Sequence, residues 1–232
     1  MSMPFYVSPE QWMQDKAEYA RKGIARGKSI VTLEYADGIL LVAENLSSSL
    51  SKIGEIYDRV AFAGVGKFSE FDQLRKAGVR YADVRGYAYS RDDVRGKALA
   101  NAYSQMIGEV FTREMKPLEV EIVVAEVGDE RSPDQAGNSI FRVLYDGTIQ
   151  DHRGFCVIGG TADTLIEYLG GRYQEEQPLG DVLSLGRNAL GRANGDTQVA
   201  PENLEVAVLE KQRSGRKFRR LSAEEVRGML RA

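Results

Sequence analysis

The sequence predicts an α+β fold, a four-layer αββα sandwich, and three observations carry that prediction. Strand-like segments, then a pair of helical segments, then strands, a second helical pair and strands again follow one another along the chain. Asp37-Gly38 sits between two apolar runs, where Asp-Gly tolerates the positive φ of a tight hairpin, and Asp146-Gly147 marks a second tight turn. Runs such as residues 60–65 are apolar almost without interruption, so both faces of those strands must be covered. Two stacked sheets with a helix pair on each outer face satisfy all three.

The first element is a helix over about residues 8–26. Ser8 suits its N-cap, Pro9 its first helical position, and Gln11 the third position of a capping box. Trp12, Met13, Ala17, Ala20 and Ile24 recur at helical spacing, and Gly27 stops it. Strands follow over residues 29–35 and 39–44, at Lys52-Ile53, and over 57–65. The first helical pair spans residues 68–77 and 93–116. In its second member Leu99, Tyr103, Ile107 and Phe111 belong to a broad apolar stripe, and Pro117 ends it.

Strands resume over residues 119–127, 139–145 and 155–159, with a polar loop expected over 129–138. Helices over residues 164–173 and 179–193 precede strands over 203–209 and 217–221. Ser222 with Glu225 forms a capping box for a last short helix. Residues 8–232 thus read as one sandwich domain and residues 1–7 as a separate segment.

Composition narrows the function. With 43% hydrophobic residues the 232-residue chain can bury a large core, and with a net charge of −3 it has no field that would draw it to nucleic acid or anionic lipid. No apolar run is long enough to cross a bilayer, and residues 1–6 lack a signal-peptide pattern. Cys156, the one cysteine, allows no internal disulfide and fits a reducing compartment, so a cytoplasmic protein is expected.

Few residues invite catalysis. Gly64-Val65-Gly66-Lys67 looks like part of a phosphate loop, but Ala61 and Phe68 stand where the motif needs Gly and Ser or Thr. A strand-to-helix turn explains it. His152, the one histidine, reads as a solvated loop residue, and Cys156 as buried and inert. One His and one Cys do not make a zinc site or a nucleophile pair, and no metal or cofactor is expected. Residues 211–220 hold six Lys or Arg, but only Phe218 interleaves them, which suits a solvated hairpin edge better than a nucleic-acid patch.

Several longer motifs carry a resemblance. Ser8-Pro9-Glu10-Gln11, Ala20-Arg21-Lys22-Gly23-Ile24-Ala25-Arg26-Gly27-Lys28-Ser29, Val42-Ala43-Glu44-Asn45 and Tyr57-Asp58-Arg59-Val60 come first. Gly66-Lys67-Phe68, with Glu70-Phe71, and Arg85-Gly86-Tyr87-Ala88-Tyr89 follow. Lys116-Pro117, Glu119-Val120-Glu121, Tyr145-Asp146-Gly147 and residues 204–209 complete the set. In order, and over essentially the whole chain, these resemble proteasome α-type subunits of the bacterial, actinobacterial type.

The resemblance implies the sandwich of the N-terminal-nucleophile hydrolases. It places Lys28 where catalytic members expose an N-terminal threonine, so no catalytic residue is expected and proteolysis belongs to a β-subunit. It implies homo-heptameric outer rings on proteasome β-subunits, with protein substrates in transit. Met1, Ser2, Met3, Pro4, Phe5, Tyr6 and Val7 would form a gate over the axial pore. A ring-shaped ATPase or other activator would insert its C-terminal tails into a pocket marked by Lys52, Gly27 and Lys67. The Tyr57-Asp58-Arg59 run is expected inside a strand, distinct from a gating motif. Two other readings stay open at this point, a stand-alone peptidase of the same fold and a scaffold ring lacking a β partner.

Overall fold

The structure, a computed structural model, describes residues 8–128 and 137–231. The seven gate candidates and most of the loop expected over 129–138 therefore lie outside the described residues. The elements run α1 (Pro9–Ala25), β1 (Ile30–Tyr35), β2 (Gly38–Glu44), β3 (Ile53–Tyr57), β4 (Val60–Gly66), α2 (Phe68–Ala88) and α3 (Gly96–Arg113). There follow β5 (Val120–Glu126), β6 (Ser139–Val143), β7 (Ile149–His152), β8 (Phe155–Ile158), α4 (Ala162–Gly170) and α5 (Leu179–Ala193). The chain closes with β9 (Leu204–Glu210), β10 (Phe218–Arg220) and α6 (Ala223–Met229).

The strands form two five-stranded antiparallel sheets, in the orders β10-β9-β2-β1-β8 and β3-β4-β5-β6-β7. Alternation along each strand divides the buried side chains among three cores. Ile39, Leu41, Ala61, Ala63, Val123 and Ala125 fill the space between the sheets. Leu40, Val42, Val31 and Leu33 point the other way, against Leu165 and Leu169 of α4 and Val182, Leu183 and Leu190 of α5. Val60, Phe62 and Val124 meet Phe71 and Leu74 of α2 and Leu99, Tyr103 and Ile107 of α3. Three cores between four layers are the predicted αββα sandwich. Each fully buried Leu, Ile, Val or Phe contributes about 1.5–3 kcal/mol against solvent exposure.

Several boundaries differ from expectation, each for a tertiary reason. Helix α2 runs on through Gly78 to Ala88, eleven residues past its expected end at Ala77. Gly78 is retained inside the helix because α3 packs there, and a Cβ at that position would land on the Tyr103 hydroxyl. Tyr57 ends β3 and Val60 begins β4, so of the Tyr57-Asp58-Arg59 run only Tyr57 lies in a strand, and Asp58-Arg59 form the turn between two. Its Arg59 is buried, with Nε 3.2 Å from Glu126 Oε1, a pairing that stabilises the turn in place of a ladder.

Strand β7 was not anticipated, because Gln150 and Asp151 are exposed on a sheet edge and carry no apolar pattern. Its last residue, His152, is thus half-buried in a strand and not a solvated loop residue. The capping box at α1 is half made. Gln11 N donates to Ser8 Oγ at 3.2 Å, but the Gln11 amide turns to Asp15 Oδ1 at 2.8 Å. At α6 both halves form, Glu225 N to Ser222 Oγ and Ser222 N to Glu225 Oε2.

The Tyr103 hydroxyl is buried with no hydrogen-bond partner among the described residues, so it carries an uncompensated desolvation cost. Tyr103→Phe is expected to raise stability by about 1 kcal/mol in urea unfolding. Gly78→Ala, which drives a methyl into the same contact, is expected to lower it by about 1–3 kcal/mol.

His152 provides a second test. Its Nε2 is buried and unpartnered among the described residues, and burial, then the Arg142 charge, hold its pKa below the ordinary 6.5 while Asp151 pulls upward. The unfolded chain therefore takes up the proton first, and stability falls as pH drops from about 6.5 toward the native value. His152→Gln should flatten the dependence of the melting temperature on pH across that window.

Candidate functional site

The three activator-pocket candidates cluster around the junction of α1, β1 and β4. Helix α1 ends at Ala25, Arg26 caps it, and Gly27 N donates to Ile24 O at 2.9 Å. The helix end lies so close to the second sheet that a Cβ on Gly27 would come within 2.5 Å of Val65 Cγ1. Beneath it, Gly66 takes a φ of +109°, which points a Cβ into the Glu119 carbonyl and excludes other residues. That kink ends β4 and starts α2, with Lys67 as its N-cap and Lys67 N donating to Glu119 O at 2.9 Å.

Gly27 and Lys67 line one cavity of about 370 Å³, together with Tyr19, Gly23, Arg26 and Glu119. Sequence reasoning missed Arg26 and Glu119, which sit inside the quoted motifs without a pattern of their own. Glu70 shows what part of those motifs does. Its Oε2 accepts from Glu119 N at 2.7 Å, and its Oε1 lies 2.8 Å from Lys116 Nζ and 3.6 Å from Lys67 Nζ. Phe68 and Phe71 on either side form an edge-to-face pair, ring centroids 5.1 Å apart. The segment that mimics a phosphate loop is a strand-to-helix turn whose lysine faces a carboxylate.

Lys52 does not line this cavity. Its ammonium donates to Glu44 O at 2.9 Å and to Lys28 O at 3.3 Å, one residue beyond Gly27. Burial lowers its pKa, while Glu205 and Glu44 raise it and Lys28 lowers it further. The neighbouring backbone is anchored by Glu205, whose carboxylate accepts from Lys52 N at 2.9 Å, Ile53 N at 3.1 Å, Asn45 Nδ2 at 2.7 Å and Arg220 Nη1 at 2.5 Å. The structure thus joins Gly27 to Lys67 in one cavity, and to Lys52 only through the backbone of residues 27–28.

Lys28 lies just before β1, exposed. Its ammonium is 3.2 Å from Glu44 Oε2 and donates to Asn194 Oδ1 at 2.7 Å, and Asn194 Nδ2 donates to Glu44 Oε2 at 2.7 Å. This closed triangle has no hydroxyl or thiol, and residue 28 follows α1 within a continuous backbone.

The other candidates fall away. Cys156 faces the inter-sheet core, its thiol pushed up to about 12 by burial first. The basic run belongs to the β9–β10 edge and is neutralised there. Arg216 Nε lies 2.8 Å from Glu55 Oε1, and Arg219 pairs with Glu210 at 3.0 Å and Glu225 at 2.6 Å. Among the described residues no group of His, Cys, Asp or Glu could hold a metal, and no helix is long and apolar enough to cross a membrane.

Comparison with known proteins gives this geometry its context. A family model described as "Proteasome subunit" matches residues 24–209. A protein of Kineococcus radiotolerans named "Proteasome subunit alpha" is 54% identical over 237 residues, covering 99% of this chain and 98% of its own. The protein of the same name from Thermobifida fusca is 54% identical over 231 residues, 99% of this chain and 91% of its own. That from Acidothermus cellulolyticus is 52% identical over 235 residues, 100% of this chain and 99% of its own. With identity at this level from end to end, the chain belongs to the proteasome subunit family, among its α subunits.

Proposed function

We propose that this chain forms the outer rings of a proteasome core particle, controls entry to a proteolytic chamber built by β-subunits, and docks an activator. The observation that carries the reading is Lys28, whose ammonium is paired inside a continuous backbone at the position where the resemblance puts the nucleophile of catalytic members. A lysine there cannot supply the attacking oxygen, and its α-nitrogen is an amide, so the subunit is silent in proteolysis.

The sandwich lends itself to rings. Strands β3 and β10 lie at one end of the two sheet orders and β7 and β8 at the other, so the domain presents two unlike open edges. Contacts between unlike edges repeat head to tail and close into a cycle when the rotation permits. Val84, Tyr87 and Tyr89, strongly exposed near the end of α2, suit burial against another subunit. Residues 8–232 act in this reading as one sandwich domain, in the cytoplasm, and residues 1–7 as the gate.

Activator docking rests on Lys52, Gly27 and Lys67. An ammonium has three N–H donors, and Lys52 uses two on the Glu44 and Lys28 carbonyls. The third has no partner among the described residues, which leaves it for the terminal carboxylate of an incoming tail. Partial burial strengthens such a charge-assisted bond relative to a surface pair. Gly27 keeps the α1 end narrow, and Lys67 contributes a cation to the cavity it shares with Gly27.

The test is hydrolysis of peptides and unfolded protein by this chain co-assembled with its β-subunit. Deleting residues 2–7 should speed hydrolysis of bulky substrates, and the chain alone should cleave nothing. Equal rates in both particles would remove the gate, and cleavage by the chain alone would overturn the silent-subunit reading. Lys52→Ala should weaken activator binding by about tenfold or more, the worth of one charge-assisted hydrogen bond. Unchanged activator affinity would move the docking site away from Lys52.

A further inference from the structure

Glu205 faces inward from β9, in register with Ala43 of β2 and on the same face as Ala207 and Leu209. At 9% exposure between two sheets, a carboxylate is costly unless its oxygens are satisfied. Its Oε2 accepts from Lys52 N and Asn45 Nδ2, and its Oε1 from Ile53 N and Arg220 Nη1. One side chain of the first sheet therefore holds both ends of residues 45–52, the connection that crosses from β2 to β3 of the second sheet. The connection also closes on itself, with Asn45 Nδ2 donating to Leu50 O at 2.7 Å and Ser47 N to Asn45 Oδ1 at 3.0 Å. Lys52 leaves it held along its whole length. Its N–H meets Glu205, its carbonyl accepts from Gly64 N at 3.0 Å, and its ammonium sits on the Glu44 and Lys28 carbonyls. A lysine left free loses rotamer freedom when a ligand arrives, and this one is ordered beforehand.

We propose that Glu205 is the positioning residue of the activator pocket: without touching the tail, it holds Lys52 where the ammonium meets the tail's terminal carboxylate. The inference rests on the docking reading above and adds a residue to which that reading gives no part. The charge on Lys52 depends on Glu205 as well. Burial lowers the Lys52 pKa, and of the charges that face the ammonium Glu205 on β9 opposes this first, then Glu44 on β2, while Lys28 before β1 adds to the lowering. Glu44 is shared with Lys28 and Asn194. Without Glu205 the ammonium loses its proton, and with it the tail, at a lower pH than in the parent chain.

The measurement is binding of a labelled C-terminal peptide of the activator ATPase to the assembled core particle, followed against pH. The same peptide with a terminal amide is the control for the carboxylate. Glu205→Gln offers one acceptor where four donors converge, so either Lys52 N or Ile53 N loses its partner whichever way the amide turns. Glu205→Asp keeps the charge but retracts it by a methylene. Both variants should bind the peptide about threefold to tenfold more weakly than the parent particle. In Glu205→Gln alone, the loss of binding at alkaline pH should begin at lower pH.

Parental affinity in Glu205→Gln, with binding weakened in Lys52→Ala, would overturn the positioning role and leave the docking reading standing. A lower melting temperature with unchanged binding would make Glu205 a structural carboxylate only. Weaker binding with an unmoved pH limit in Glu205→Gln would assign the effect to general loosening, and would overturn the role as well. Unchanged binding in Lys52→Ala, or equal binding of the amide peptide, would overturn both readings. Should the Glu205→Gln particle fail to assemble, Glu205→Asp decides, and parental affinity there sinks the proposal.

Discussion

The constraint on which the structure depends is that the central strands are apolar on both faces. β2 is buried from Gly38 to Ala43 and β5 along its whole length, so neither sheet can leave a face to water. Each must be covered twice, once by the other sheet and once by helices. Small residues on the inner face, Ala43, Ala61, Ala63 and Ala125, let the sheets approach. Larger ones on the outer faces, such as Phe62 and Leu40, meet the helix pairs. The four layers follow from this burial and not from any single contact.

That scaffold leaves its chemistry at the ends of strands. The junction of α1, β1 and β4 is where backbone leaves the sheets, and it needs special residues to do so. Gly66 kinks, Gly27 allows the close approach of α1, and Glu70 and Glu205 satisfy amide groups that no ladder reaches. A buried carboxylate serving several donors is costly to move, so it holds nearby lysines at defined positions. Lys28, Lys52 and Lys67 therefore leave from an anchored frame, with the side chains of Lys28 and Lys67 about half exposed.

The motifs shared with the proteasome α subunits thus divide by physical role. Gly66, Glu70 and Glu119 shape the turn, Phe68 and Phe71 pack it, and Lys67 is presented by it. Lys28 and Glu44 form a closed polar triangle with Asn194.

By itself the sequence determined the kinds of elements, the hairpin at Asp37-Gly38, the tight turn at Asp146-Gly147, the capping box at Ser222, and the family. Hairpins, caps and helical or strand periodicity are local signals, read within a few residues. Only the tertiary structure decided that α2 passes through Gly78, because the reason is Tyr103 on another helix. Likewise β7 exists because β6 offers it a ladder, not because its own residues alternate. The site divided in the same way. Lys52, Gly27 and Lys67 were named from motifs, but their placement depended on strand register and the angle of α1, which set distances between residues far apart in the chain. Trp12 looked like one more apolar position on an amphipathic helix. Its exposure beside Tyr19 and Met115 follows from where the end of α3 lies, and no periodicity encodes that.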